Sequence, residues 1–158
     1  MLAAPAAAHV TASPAFLPAG GEATLTLSVP NERDEPMTEL AVTAPPGVRL
    51  VRAHPAGPWT AAIEGETATW SGGSVEPGAT GSFLLTLAAP AGPGPAELAA
   101  EQRYPGGETV RWPVALTVTP GAPPREHVWR GVLVALLGLA ATVGVVAFAW
   151  RRRSLQER

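Results

Sequence analysis

From Gly131 to Trp150 the chain runs GVLVALLGLAATVGVVAFAW without one charged side chain, and no other stretch restricts the possible folds as much. At 1.5 Å rise per residue, a helix of this length spans about 30 Å of hydrocarbon. Burying it inside a soluble domain would need a large surrounding core, which a remainder broken by most of the 17 Gly and 18 Pro cannot build. The expectation is one C-terminal transmembrane helix over residues 128–150. Trp129 and Trp150 stand at its edges, where indoles prefer the interface, and Arg151, Arg152 and Arg153 follow at once. Residues 151–158 are therefore expected as a cytoplasmic Arg-rich tail, with the preceding domain outside a single-pass cell membrane protein.

Charge divides the same way. Residues 9–126 carry 6 Arg against 12 acids, and residues 127–158 carry 5 Arg against one acid. An acidic outer part gives no basic field for nucleic acid. The absence of Cys removes thiolate zinc sites, disulfides and cysteine nucleophiles together. At the other end, Ala6-Ala7-Ala8 before His9 has the small residues that a signal peptidase reads. Met1 to Ala8 has neither a basic n-region nor an apolar h-region. Residues 1–8 are thus either the remnant of a signal peptide whose start lies upstream or a disordered tip.

Between these ends, short runs rich in Val, Thr and Leu are punctuated by Gly and Pro. Residues 23–29, ATLTLSV, alternate apolar residues with hydroxyls, the period of a half-buried strand. Leu40–Thr43, Thr67–Trp70, Phe83–Leu87, Ala96–Tyr104, Glu108–Trp112 and Val114–Val118 read alike, with Ser71-Gly72-Gly73 and Pro105-Gly106-Gly107 as turns. About seven to nine such strands predict an all-β, antiparallel β-sandwich over residues 9–118. Trp59, Trp70 and Trp112 are expected to dominate its core. Residues 119–127, with Pro120, Pro123 and Pro124, form a stiff connector at about 3.1 Å per residue.

No Ser-His-Asp or Cys-His arrangement is present around His9, His54 or His127, so no enzyme is expected. His127 lies in the connector, and His54, in Arg52-Ala53-His54-Pro55, reads as a solvated loop residue. Gly72-Gly73 and Gly106-Gly107 precede no helix and are not phosphate loops. His9 differs, because processing after Ala8 would let it offer an α-amine and an imidazole nitrogen to one ion. Nitrogen donors of this kind suit Cu(II), which stands highest in the divalent affinity order. On spacing alone, His9 is equally an ordinary residue at the start of the first strand.

Five segments in order break this tie. They are His9-Val10-Thr11 with Ser13-Pro14; Pro18-Ala19-Gly20-Gly21 with Thr24-Leu25-Thr26; Val29-Pro30-Asn31-Glu32-Arg33; Trp59-Thr60 with Thr69-Trp70-Ser71-Gly72-Gly73 and Pro77-Gly78; and Gln102, Tyr104 and Gly107-Glu108 to Trp112. In these segments the chain resembles the bacterial YcnI-like copper-binding domain. The resemblance implies an immunoglobulin-like sandwich outside the cytoplasmic membrane, often tethered by a C-terminal helix. It also implies copper bound by a single-histidine brace, in which the mature N-terminal His chelates through amine and imidazole, a Glu adds an oxygen and a Trp packs beside the ion.

His9 matches the histidine and Trp112 the tryptophan. The Glu is where the chain departs: the family strand carries Glu before Phe, and here Ser82 precedes Phe83. Glu108 is a candidate substitute, because Glu108, Val110 and Trp112 share one face of a strand, although a solvated residue beside the Pro105-Gly106-Gly107 turn is its simpler reading. Glu32 belongs to the family pattern, but its simplest role is a charged connector. Pro58 before Trp59 also departs from the family's Pro-Gly-Trp order. The expected function is capture or delivery of Cu(II) outside the membrane, with a CopD-like membrane copper transporter as the recipient the family implies. The alternative is a structural or interaction sandwich that has lost its metal site. Oxidative catalysis would need a second histidine, and none is placed for it.

Overall fold

The hydroxyl–apolar alternation of residues 22–30 folds as expected. Thr24, Thr26 and Ser28 face outward and Leu25, Leu27 and Val29 face inward with no exposure. The computed structural model describes residues 9–121. The expectations for residues 1–8, for the transmembrane segment 128–150 and the tail 151–158, and for most of the connector lie outside the described residues.

Among the described residues, ten strands form two sheets. The first, in spatial order, is β1 (Thr11–Ser13), β3 (Glu22–Pro30), β8 (Thr80–Ala88) and β5 (Arg49–Ala53). The second is β2 (Phe16–Pro18), β10 (Thr109–Thr119), β9 (Gly94–Arg103), β4 (Met37–Thr43), β7 (Thr67–Val75) and β6 (Thr60–Glu64). Each strand buries one face, because a sheet with one wet side lowers its free energy by turning alternate side chains inward. Leu25, Leu27, Phe83, Leu85 and Leu87 meet Leu40, Val42, Trp70, Leu98 and Leu116 between the sheets. Phe83 is the centre of the aromatic packing, with the rings of Trp59 at 5.2 Å and Trp70 at 5.6 Å.

Four expectations are corrected. The sandwich is not wholly antiparallel: β2 pairs with β10 in parallel, Phe16 opposite Thr117 and Pro18 opposite Thr119. The reason is that residues 11–18 cross from one sheet to the other, so β2 reaches the edge of the second sheet running the same way as β10. Ser71-Gly72-Gly73 is no turn but lies inside β7, where pairing with β4 slips between Met37 and Glu39. The indole of Trp59 explains the glycine, since a Cβ on Gly73 would stand 2.5 Å from two of its ring atoms. The stretches expected as Glu108–Trp112 and Val114–Val118 are not two strands: Thr109–Trp112 and Val114–Val118 are parts of β10, which passes through Pro113, and Glu108 precedes it. Proline is tolerated there because β2 covers β10 only at residues 117–119, leaving one side of β10 open at Pro113.

The fourth correction concerns side-chain placement. Trp59 and Trp70 are core residues, whereas Trp112 is only partly buried, at the margin between the sheets. His54 lies in the loop after β5 as expected, but it is half-buried and not freely solvated. Its Nε2 lies 3.0 Å from Thr86 Oγ1, and its carbonyl accepts a hydrogen bond from Trp70 Nε1 at 2.8 Å.

Candidate metal centre

At one end of the sandwich the connection after β3, the turn between β7 and β8, and the β9–β10 hairpin meet around Asn31, which is 1% exposed. Its backbone N–H donates to Ala79 O and its carbonyl accepts from Gly78 N. Its Nδ2 donates to Glu35 O and Val75 O, both at 2.8 Å. Its Oδ1 accepts from Arg33 N at 3.0 Å and from the Tyr104 hydroxyl at 3.1 Å. Two donors and two acceptor positions are all that a carboxamide has, so Asn31 is fully satisfied and holds residues 30–35 rigidly against the turn.

Gln102, equally buried, extends this network toward the indole. Its Nε2 donates to Pro30 O at 2.7 Å, and its Oε1 accepts from Trp112 Nε1 at 2.9 Å and from Tyr104 at 3.3 Å. Trp112 therefore has its single polar atom committed inward. Its ring presents itself to His9, centroid to centroid 5.2 Å at an interplanar angle of 63°. Val10, buried beside it, fixes the chain next to His9 at the start of β1.

His9 lines an open cleft of about 510 Å³ with Thr11, Pro30, Glu32, Asp34 and Thr80. A smaller cleft of about 230 Å³ lies against Trp112, Gln102 and Tyr104, and Glu32 and Arg33 line both. The structure thus brings together His9, Trp112 and the carboxylate that looked like a mere connector, Glu32. Ser82 is not among the residues lining either cleft. It lies on the outer face of the first sheet, opposite Ser28, which in turn pairs with Thr11. Glu108 lines neither cleft, and its Oε1 is 2.9 Å from Arg33 Nη2.

A metal ion in the larger cleft would meet one imidazole and the carboxylates of the Pro30–Asp34 loop. Among the described residues no three His, Asp or Glu side chains cluster to hold an ion by themselves. The donor set fits Cu(II), which accepts imidazole nitrogen and carboxylate oxygen, provided the main chain completes it. An α-amine on His9 is the donor that would do so. Sequence reasoning missed the roles of Asn31, Gln102 and Tyr104. Their signal was polar residues at inward strand positions or directly after an apolar strand, as in Val29-Pro30-Asn31.

Residues 9–68 match the family model described as a domain of unknown function, DUF1775. The copper-binding protein CutI of Bacillus subtilis (strain 168) is 29% identical over 116 residues, covering 69% of this chain and 57% of that protein. The chain thus spans little more than half the length of this relative. Among solved structures, an uncharacterized protein from Nocardia farcinica, described as having an immunoglobulin-like fold, superposes with a TM-score of 0.62 at 28% identity. The match covers 73% of this chain and 100% of that one. A membrane anchored protein from Corynebacterium diphtheriae shares the fold at a TM-score of 0.51 and 13% identity, covering 73% of this chain and 35% of that one.

Proposed function

We propose a copper-binding function for this chain, whose YcnI-like character the family match and the CutI relative support. The ion is Cu(II), and the role is to bind and pass it on rather than to catalyse. The observation that carries the reading is the placement of His9. It stands where the family match begins, its ring lies against Trp112, and its cleft contains Glu32 and Asp34. Removal of residues 1–8 makes His9 the first residue, and its amine and imidazole then close one chelate ring on the ion. Glu32 replaces the family Glu as the oxygen donor, because it lies in the cleft while Ser82 and Glu108 do not.

The test is a competition titration of Cu(II) into the processed chain. An α-amine has a pKa near 7.7 to 8.0 and must lose its proton to bind, so affinity should fall as pH drops through about 8 to 6. His9→Ala, or one extra residue before His9, should weaken binding at least tenfold. Insensitivity to all three changes would place the metal elsewhere. The second reading, a sandwich without a metal site, is favoured by the lack of a three-residue ligand cluster among the described residues. Terminal sequencing of the mature protein decides between them, since an N-terminus other than His9 removes the amine.

The tether is proposed from residues 131–150 and the arginines after them: the domain lies outside the cell membrane and residues 151–158 inside. The family's implied recipient, a CopD-like membrane copper transporter, would then take the ion at the membrane surface. Protease added to intact spheroplasts should digest the domain. Loss of the tail with survival of the domain would reverse the orientation.

A further inference from the structure

Arg33 stands between Glu32 and Asp34 in the wall of the His9 cleft, its backbone N–H fixed on Asn31 Oδ1. A guanidinium there opposes the entry of any cation. Its Nη2, however, is 2.9 Å from Glu108 Oε1, on the hairpin that leads into β10 and Trp112. Both side chains are about half exposed, 49% and 53%, and a pair so exposed adds little to folding stability. Its electrostatic effect on a neighbouring doubly charged ion is larger, because the interaction scales with the product of the charges.

We propose that Glu108 is a counter-charge and not a ligand: it neutralises Arg33 and so keeps the cleft attractive to a divalent cation. This rests on the copper reading above. Three carboxylates, Glu32, Asp34 and Glu108, against one guanidinium leave the cleft and its border at a net charge of −2. Glu108→Gln reduces this to −1 and leaves Arg33 without its counter-charge. Arg33→Gln raises it to −3, and the double substitution returns it to −2. A carboxylate bonded to the metal behaves otherwise, since its loss is not repaired by removing Arg33.

The experiment titrates Cu(II) against a competing chelator into the processed chain beginning at His9, as wild type, Glu108→Gln, Arg33→Gln and the double variant, with thermal melts of each. At low salt Glu108→Gln should weaken binding about threefold to tenfold and Arg33→Gln should strengthen it by a similar factor. The double variant should lie within about twofold of wild type. In 1 M salt, where the screening length is about 3 Å, all the differences should shrink toward unity. A double variant as weak as Glu108→Gln alone makes Glu108 a ligand and overturns the proposal, as does an Arg33→Gln affinity equal to wild type. A wild type whose affinity ignores His9→Ala defeats the copper reading itself, a result distinct from either.

Discussion

Tyr104 shows how much of the candidate centre depends on single buried polar atoms. Burial pushes its phenol above the usual tyrosine range; Arg33 opposes the rise and Glu108 adds to it. A raised pKa in the folded state favours the neutral phenol. The corresponding stability is therefore present below the unfolded value near 10 and is lost as pH rises through the folded value. The chain has one tyrosine, so absorbance of tyrosinate reports this group alone. The expected outcome is tyrosinate appearing above pH 10, with the midpoint of urea unfolding falling over the same range. Ionisation at the ordinary value with an unchanged unfolding midpoint would contradict it. The adjacency of His9 and Trp112 was legible in the sequence because one chemical idea, the N-terminal chelate, and one resemblance pointed at these residues. The placement of Asn31, Gln102 and Glu32 was not, since it arises only where three connections distant in sequence meet.

Among the elements, the uninterrupted alternating strands were legible and the three-residue ones were not. Alternation over nine residues in β3 or β8 specifies a face, whereas three residues in β1 or β2 carry too few positions for a period. The glycine pair in β7 misled for a different reason: a turn and a strand under an indole both demand glycine, and sequence does not separate them. Gly73 is therefore a sensitive position. An alanine Cβ there would sit 2.5 Å from Trp59 Cε2 and Nε1, so the ring or the strand must move. Gly73→Ala should cost about 1 to 3 kcal/mol in urea unfolding. The cost should fall sharply in a Trp59→Leu background, where the clashing ring is gone. An equal cost in both backgrounds would mean that the ring is not the obstacle.

Over the described residues, the sandwich class followed from punctuation and alternation, and the immunoglobulin-like fold of the Nocardia farcinica relative agrees with it. The parallel pairing of β2 with β10 did not follow, because direction is set by the crossing of residues 11–18 between sheets and not by composition. That pairing has a mechanical consequence. The chain enters β2 at Phe16 and leaves β10 at Thr119, so tension between the two ends of the domain drags these strands past one another along their length. Ala15 O to Thr117 N, Leu17 O to Thr119 Oγ1 and Thr119 O to Ala19 N are then stretched together and not one after another. Pulled from its ends in a single-molecule force measurement, the domain should give way in one abrupt event, and gradual unravelling at low force would contradict this.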